Sequence, residues 1–256
     1  MPGPGLTGNA LPVFRIGSSE WLERGTPPMI EHLRGSSAVV VTGHLTDACE
    51  RRARAVLRAR REWTSDFGAE QFSLGRAFYT HLETGRGGLY FRDAAGSDAR
   101  VERVLPGMQE GVSALLAALV GGTVRPRLGF CGPGVHVFPA GGEVARRGGV
   151  VHFDVEGLTP LQLRRGHRAV TVVWMLQPAE WGGGLRIWNA LHTGSEHPTD
   201  AQLAAPHLTL RYRPGDVLFS DSRRLHQIRP FRGARDRISI TAHAVEVDRD
   251  VWELWF

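Results

Sequence analysis

The sequence contains no lysine; all 31 of its basic residues are arginine, set against 26 acidic ones for a formal charge of +5. An arginine-only surface can serve nucleic acid. No long arginine run interleaved with aromatics occurs, however, so the arginines read as a scattered, solvated surface and nucleic acid is not the expected partner. Cysteine is almost absent as well: Cys49 and Cys131 are the only two. Thiols so far apart match neither a zinc spacing nor a disulfide framework, and both fall in patterned segments where they read as buried. No apolar stretch approaches the ~18 residues that a membrane span requires. The start, Met1-Pro2-Gly3-Pro4-Gly5, lacks the basic stretch and apolar run of an export signal. A cytoplasmic protein without a membrane partner is the expectation. Low-complexity linkers and internal repeats are missing too, so the 256 residues are expected to form one domain, large enough for a proper core.

What is present divides by pattern. Residues 1 to about 12 are Gly- and Pro-rich and read as a loose tail. From about 13 to 122 the periodicity is mainly helical. A short helix is expected from Ser18 to Arg34, interrupted at Pro27-Pro28, and another from a Thr46 cap to Trp63. Two more run from Glu70 to Glu83 and from Pro106 to Val120, the last stopped by Gly121-Gly122. Short strands are expected at 38–41 and 89–91. From Arg127 the pattern switches to strands near 127–131, 134–138, 149–155, 169–177, 184–189, 208–212, 216–219, 226–230, 236–244 and 251–255. That number and spacing predict an α+β fold: a double-stranded β-helix, a jelly-roll or cupin-like core over about 127–247, buttressed by the N-terminal helices. The loop over 190–207 carries His192, His197 and His207 without a fixed ligand spacing. The aromatic end, 251–256, is expected to pack back on the core or against another chain.

The chemistry centres on Val150-Val151-His152-Phe153-Asp154. In a strand, His152 and Asp154 share one face and Phe153 takes the other. An imidazole and a carboxylate side by side are two ligands for a divalent metal, and His226 is the best candidate for a third. Two histidines and one carboxylate on one side of a metal leave the opposite positions open, which suits non-haem iron. On the residues alone other readings stand. His152 and Asp154 could be a buried hydrogen-bonded pair, zinc in a hydrolase would accept the same ligands, and His243 competes with His226. Downstream, Arg237, Ser239, Thr241 and His243 alternate along one strand and share a face. A forked, always-charged donor at Arg237 suits the carboxylate of an organic acid bound beside the metal.

His152-x-Asp154, a late His226 and Arg237-x-Ser239, in that order, resemble the Fe(II)- and 2-oxoglutarate-dependent oxygenases. The segments 168–174, 182–188 and 213–219 are similar to that family too, and the resemblance runs from about Arg127 to Val247. It implies that His152, Asp154 and His226 hold Fe(II), that 2-oxoglutarate chelates the iron, and that Arg237 with Ser239 anchors its far carboxylate. With O2 as oxidant, the products would be succinate, CO2 and an oxidised substrate.

The substrate side carries weaker signals. Segment 71–79 resembles one in small free-standing bacterial hydroxylases and halogenases that act on amino acids and other small metabolites, and this implies a substrate-facing Arg76. His136, Phe153, Trp174, Arg186, Trp188, His243 and Trp252 are further candidates by position, Trp174 reading equally as core. In the related halogenases a Gly or Ala replaces the carboxylate ligand; Asp154 here implies hydroxylation of an unactivated C–H bond. Two rivals differ in kind: a nucleic-acid demethylase of the same fold, whose second arginine would fall where His243 stands, and a non-enzymatic jelly-roll binding protein.

Overall fold

Ala169–Gln177 is the longest apolar run of the second half, and it is apolar because both of its faces are covered. Val170, Val172, Trp174 and Leu176 point into a helix-covered core, while Thr171 and Val173 point into an internal cavity. The same two-residue alternation continues in its partner Arg237–Asp248, where Ile238, Ile240, Ala242 and Ala244 face the core and Arg237, Ser239, Thr241 and His243 face the cavity. It continues again in Gly134–Phe138, with Val135 and Val137 on the core side and His136 and Phe138 on the cavity side. The computed structural model that shows this describes residues 12–23, 28–67 and 70–256.

These strands belong to a ten-stranded sheet in the spatial order Val13–Gly17, Ala38–Thr42, Val217–Asp221, Ala169–Gln177, Arg237–Asp248, Gly134–Phe138, Gln71–Leu74 and Thr64–Asp66. Off that path, Val251–Trp255 pairs with the end of Arg237–Asp248 and, in parallel, with Thr123–Pro126. A three-stranded sheet, His207–Leu210, Leu185–Leu191 and Arg224–Ile228, contributes the opposite wall of the cavity through Leu185, His226 and Ile228. Two facing sheets around a cavity make the expected double-stranded β-helix. The outer face of the large sheet is covered by the helices Thr46–Arg58, Ala94–Val104 and Met108–Val120, which bury Cys49, Val56, Val101, Val112, Leu116 and Leu119 against it. Each such side chain is worth about 1.5–3 kcal/mol of burial, so the helices stiffen the sheet that carries the site.

Several local expectations give way to tertiary pairing. Gln71–Leu74 is a strand and not the start of a helix, because Gln71 and Ser73 face inward and Leu74 outward while it pairs with Gly134–Phe138. Gly75, at φ 93°, then turns the chain into the short helix Phe78–Glu83. The aromatic trio 89–91 lies inside the helix Gly87–Arg92, where the Tyr90 hydroxyl donates to the Phe256 carbonyl at 2.9 Å. The strand expected at 127–131 forms earlier, at Thr123–Pro126. The one expected over 149–155 reduces to a single bridge between His152 and His226. Thr46 is the first helical residue, Leu45 occupying the cap position at φ 48°. The loop expected over 190–207 contains the helix Asp200–Leu203, closed by reciprocal Thr199 and Gln202 hydrogen bonds. The helix expected from 18 to 34 is two pieces, Ser18–Glu23 and His32–Gly35; Pro27 and the tail at 1–11 lie outside the described residues. Both cysteines are buried free thiols, and 251–256 packs into the core. Among the described residues no helix is long and apolar enough to cross a membrane.

Candidate active site

His152 and Asp154 come from the irregular segment after Gly149, and His226 from Arg224–Ile228. The two segments are locked by reciprocal backbone hydrogen bonds between His152 and His226, 3.1 and 3.0 Å, and by Asp154 N donating to Ser222 O at 2.8 Å. This brings His152 Nε2 to 3.4 Å from Asp154 Oδ1 and His226 Nε2 to 3.3 Å from Asp154 Oδ2. One ligand atom from each of the three lies within 4.8 Å of the others. His152 Nδ1 is 2.8 Å from the Val150 carbonyl, and His226 Nδ1 is 2.9 Å from the Arg224 carbonyl. A carbonyl only accepts, so each Nδ1 carries a proton and each Nε2 is turned toward the carboxylate. That is the orientation a metal needs from two imidazoles.

Asp154 is held in turn. Thr171 Oγ1 is 2.7 Å from Asp154 Oδ2, 3.0 Å from Ser222 Oγ and 3.2 Å from His243 Nδ1. Burial alone would raise the Asp154 carboxyl, but the neighbouring His226, His243 and His152 hold it well below the usual carboxylate range. The ionised carboxylate can only accept, so the Thr171 hydroxyl spends its one proton on Asp154. Thr171 therefore accepts from His243 Nδ1, and His243 is left with a bare Nε2. Burial pushes the His152 imidazole down, yet the hydrogen bond and charge of Asp154 outweigh it and bring it up to about 9. Burial lowers His226 and His243.

At the other end of the cavity stands Arg237, only 2% exposed. Its Nε donates to the Gly183 carbonyl at 3.2 Å and its Nη1 to Ser239 Oγ at 3.3 Å. Its guanidinium lies 5.4 Å from the Phe138 ring and 5.5 Å from the Tyr212 ring. No carboxylate pairs with it among the described residues, although a buried unpaired cation is costly. The Tyr212 hydroxyl beside it is buried without a hydrogen-bond partner among the described residues, and burial pushes that phenol up to about 12.

The cavity joining the two ends has a volume of about 380 Å³, within the range of small-molecule sites, about 300–1,000 Å³. The structure brings His152, Asp154, His226, Arg237, Ser239, His136 and His243 to its walls. It does not bring the remaining candidates there. Arg76 turns into the helical layer, where Asp93 at 2.7 Å and His81 at 3.1 Å take its guanidinium. Phe153 is on the far face of its segment, buried edge-on to His192. Trp174 and Trp252 are fully buried in the main core, under Arg52 and Arg168 respectively. Trp188 is buried with its indole donating to Leu203 O, and Arg186 lies over that ring. For Trp174, Arg186, Trp188 and Trp252 strand alternation sets the direction, while Arg76 and Phe153, outside any strand, are turned away by their partners.

Residues not foreseen line the cavity as well: Thr171, Phe138, Tyr79, Glu83 and Glu156. Thr171 and Phe138 follow by alternation from the apolar strand and from His136, while Tyr79 and Glu83 depend on how the Phe78–Glu83 helix docks. The Tyr79 ring is 5.7 Å from the His136 ring, whose Nδ1 is 3.1 Å from Ser73 Oγ. Burial, then the charges of His243 and Arg237, push His136 down to about 3, so it is neutral. A second groove of about 660 Å³ on the outer surface, beside Trp181, is lined by no carboxylate or imidazole.

A jelly-roll cavity with a His-Asp-His ligand set at one end and, at the other, a buried arginine that no carboxylate pairs among the described residues is suited to iron and a 2-oxo acid. The donor set fits Fe(II): two oriented imidazoles and one ionised carboxylate on one side. Residues 143–244 match the family model described as the 2OG-Fe(II) oxygenase superfamily, and the cofactors that this match and the ligand set support are iron and 2-oxoglutarate. Among solved structures, AviO1 from Streptomyces viridochromogenes Tue57 is similar over 86% of this chain and 94% of its own, at 16% identity and TM-score 0.55. An N-substituted L-amino acid dioxygenase from Burkholderia ambifaria AMMD is similar over 89% of this chain and 90% of its own, at 14% identity and TM-score 0.55. The carbocyclase SnoK from nogalamycin biosynthesis covers 88% and 86%, at 14% identity and TM-score 0.55. At these identities the likeness is one of fold. No curated protein matches the sequence.

Proposed function

We infer that this oxygenase hydroxylates an unactivated C–H bond of a small metabolite, an amino acid or natural-product intermediate, acting as one domain over residues 1–256. The observation that carries the reading is a single cavity that holds the His152, Asp154 and His226 ligand set at one end and the unpaired Arg237 at the other. Arg237 and Ser239 take the far carboxylate of 2-oxoglutarate, with the orphan Tyr212 hydroxyl as a further donor. His152, Asp154 and His226 hold the iron, and Thr171 keeps Asp154 ionised and oriented. Iron and 2-oxoglutarate, when bound, supply the oxidising chemistry with O2, and the 2-oxo acid leaves as succinate and CO2. Apolar walls at Phe138, Val144, Leu185 and Ile228 keep bulk water from the reacting end. Asp154 occupies the ligand position that halide would need, which favours oxygen insertion over halogenation.

Against a nucleic-acid substrate stand His243, where that class would carry an arginine, and Glu70, Glu83 and Glu156 on the cavity wall, which repel a phosphate backbone. The test is a metabolite screen for stimulated succinate release. The product from the active metabolite is then analysed by mass spectrometry under isotopically labelled O2 with chloride in excess. One labelled oxygen and no chlorine supports the reading; a chlorinated main product, or an epimerised or cyclised product without new oxygen, overturns hydroxylation.

A further inference from the structure

Carboxylates gather where the cavity opens past His152. Glu83 ends the helix Phe78–Glu83, Glu156 follows Asp154 by two residues, and Glu70 precedes the strand Gln71–Leu74; all three line the cavity. None of the three forms an ion pair among the described residues, in a chain whose 31 arginines pair readily with acids elsewhere. Burial first, then the charges of Asp154 and Glu83, push the Glu156 carboxyl up to about 7, and burial raises Glu83, with the charge of Glu196 adding to it. Arg237 is the one arginine on the cavity wall, and it stands at the opposite end.

A second observation, independent of these acids, points the same way. His243 is about nine-tenths buried, and its Nδ1 is committed to Thr171. Because Thr171 spends its proton on Asp154, the imidazole of His243 carries its own proton on Nδ1 and leaves Nε2 as an unpartnered acceptor in the cavity wall. Thr241, on the same face, is 7% exposed and its hydroxyl has no partner among the described residues. The substrate end is thus supplied with acceptors, and apart from its histidines it has no basic side chain among the described residues. Acceptors gathered on one cavity wall are complementary to a group rich in N–H donors that carries positive charge. The local field is also opposite in sign to the +5 of the whole chain, so it distinguishes the mouth from the rest of the surface.

We propose that the substrate carries a protonated amine, which sits between Glu83 and Glu156 and so presents a carbon of its chain to the metal end of the cavity. This rests on the functional reading above and narrows its substrate class. An alkyl chain beyond the ammonium group is accommodated by the apolar walls at Val150, Phe138 and Leu185.

The test is anaerobic calorimetry on the full chain loaded with Fe(II) and 2-oxoglutarate, titrated at pH 7 with three probes of equal length: n-hexylamine, 1-hexanol and hexanoate. The expected result is a preference for the amine over both others of about tenfold or more, shrinking as salt is added. Glu83→Arg should abolish that preference or turn it toward hexanoate, and Glu156→Gln should reduce it. Glu83 is exposed, so its replacement spares the fold, and 2-oxoglutarate binding in the same samples reports on the integrity of the site. Either variant changing the preference supports the assignment. A wild-type protein that binds the alcohol or the acid as well as the amine, or that binds none of the three, overturns it, as does a preference untouched by both variants. Because the readout is binding, the two readings fail separately. A protein that prefers the amine but releases no succinate with any metabolite keeps this assignment and loses the hydroxylase reading. Turnover without amine preference does the reverse.

Discussion

At the scale of single residues the protonation of His152 decides how iron enters. In the metal-free site His226 and Asp154 are already in their ligand forms at neutral pH, the first lowered and the second held far down. His152 alone holds a proton that iron must displace, since Asp154 brings it up to about 9. The sign follows: below that pH each Fe(II) bound releases about one proton, so apparent iron affinity rises with pH and levels off near 9. Proton release measured in two buffers of different ionisation enthalpy checks this, and no release at pH 7 would contradict it. Thr171 offers a second expectation. Thr171→Val removes the donor to Asp154 and leaves His243 and Ser222 facing a methyl group, and iron affinity should fall about 10–100-fold. Thr171→Ser should restore most of it, which a packing defect would not explain. At the far end, Arg237→Ala should weaken 2-oxoglutarate by about 3–5 kcal/mol, the scale of a broken buried charge pair, while leaving iron affinity nearly as it was. Titration of each ligand separately reads both. An unchanged 2-oxoglutarate affinity would move the anchor to another cation.

At the scale of elements, one strand carries most of the chemistry. Arg237–Asp248 presents Arg237, Ser239, Thr241 and His243 to the cavity, and its register against Ala169–Gln177 sets His243 opposite Thr171. A slip of one residue would exchange these polar groups for Ile238, Ile240 and Ala242. The register is protected by packing along Gly134–Phe138, where a Cβ on Gly134 would meet the Phe256 ring at 2.2 Å and the Leu74 carbonyl at 2.9 Å. Gly134→Ala should therefore cost about 1–3 kcal/mol, read as a lowered melting temperature. It should also loosen His136, two residues on, whose ring lies 4.8 Å from that of Phe256. Gly134→Ala melting with the wild type would show that the C-terminal aromatic can move aside freely.

At the scale of the whole molecule, two sheets and a helical layer divide the labour. The outer face of the large sheet is bound to helices through a continuous core that includes Trp174, Phe219, Leu116 and Trp252. The inner face carries Thr171, Arg237, Ser239, Thr241 and His243 among apolar neighbours such as Val173 and Phe138. The unliganded protein thus keeps a buried cation at Arg237 and a histidine-carboxylate cluster without metal. Ligands that bind only the folded state should raise its stability by about 2.7 kcal/mol at a hundredfold excess over Kd. Adding 2-oxoglutarate after iron is expected to raise the melting temperature in wild type and to do so much less in Arg237→Ala.

Much of this was written in the chain itself. The ligand set, the cavity-facing side of Arg237 and the strands from 134 onward, except the one expected over 149–155, follow from local pattern, because a strand's two faces alternate with a fixed period and a metal site needs particular donors. His152-x-Asp154 and Arg237-x-Ser239 are legible for that reason, as is the stop at Gly121, whose left-handed conformation caps Met108–Val120. Other features were decided only by the assembled molecule. Gln71–Leu74 carries a helix-like spacing and became a strand because an edge of the large sheet was open to it. Arg76 reads as a ligand-binding arginine and was claimed by Asp93, seventeen residues on. The meeting of Glu83, Glu156 and His243 around one cavity joins three elements whose separation in sequence says nothing of their distance. Contacts of that kind depend on how faces pack, and packing is settled by the competition of all the buried surfaces at once.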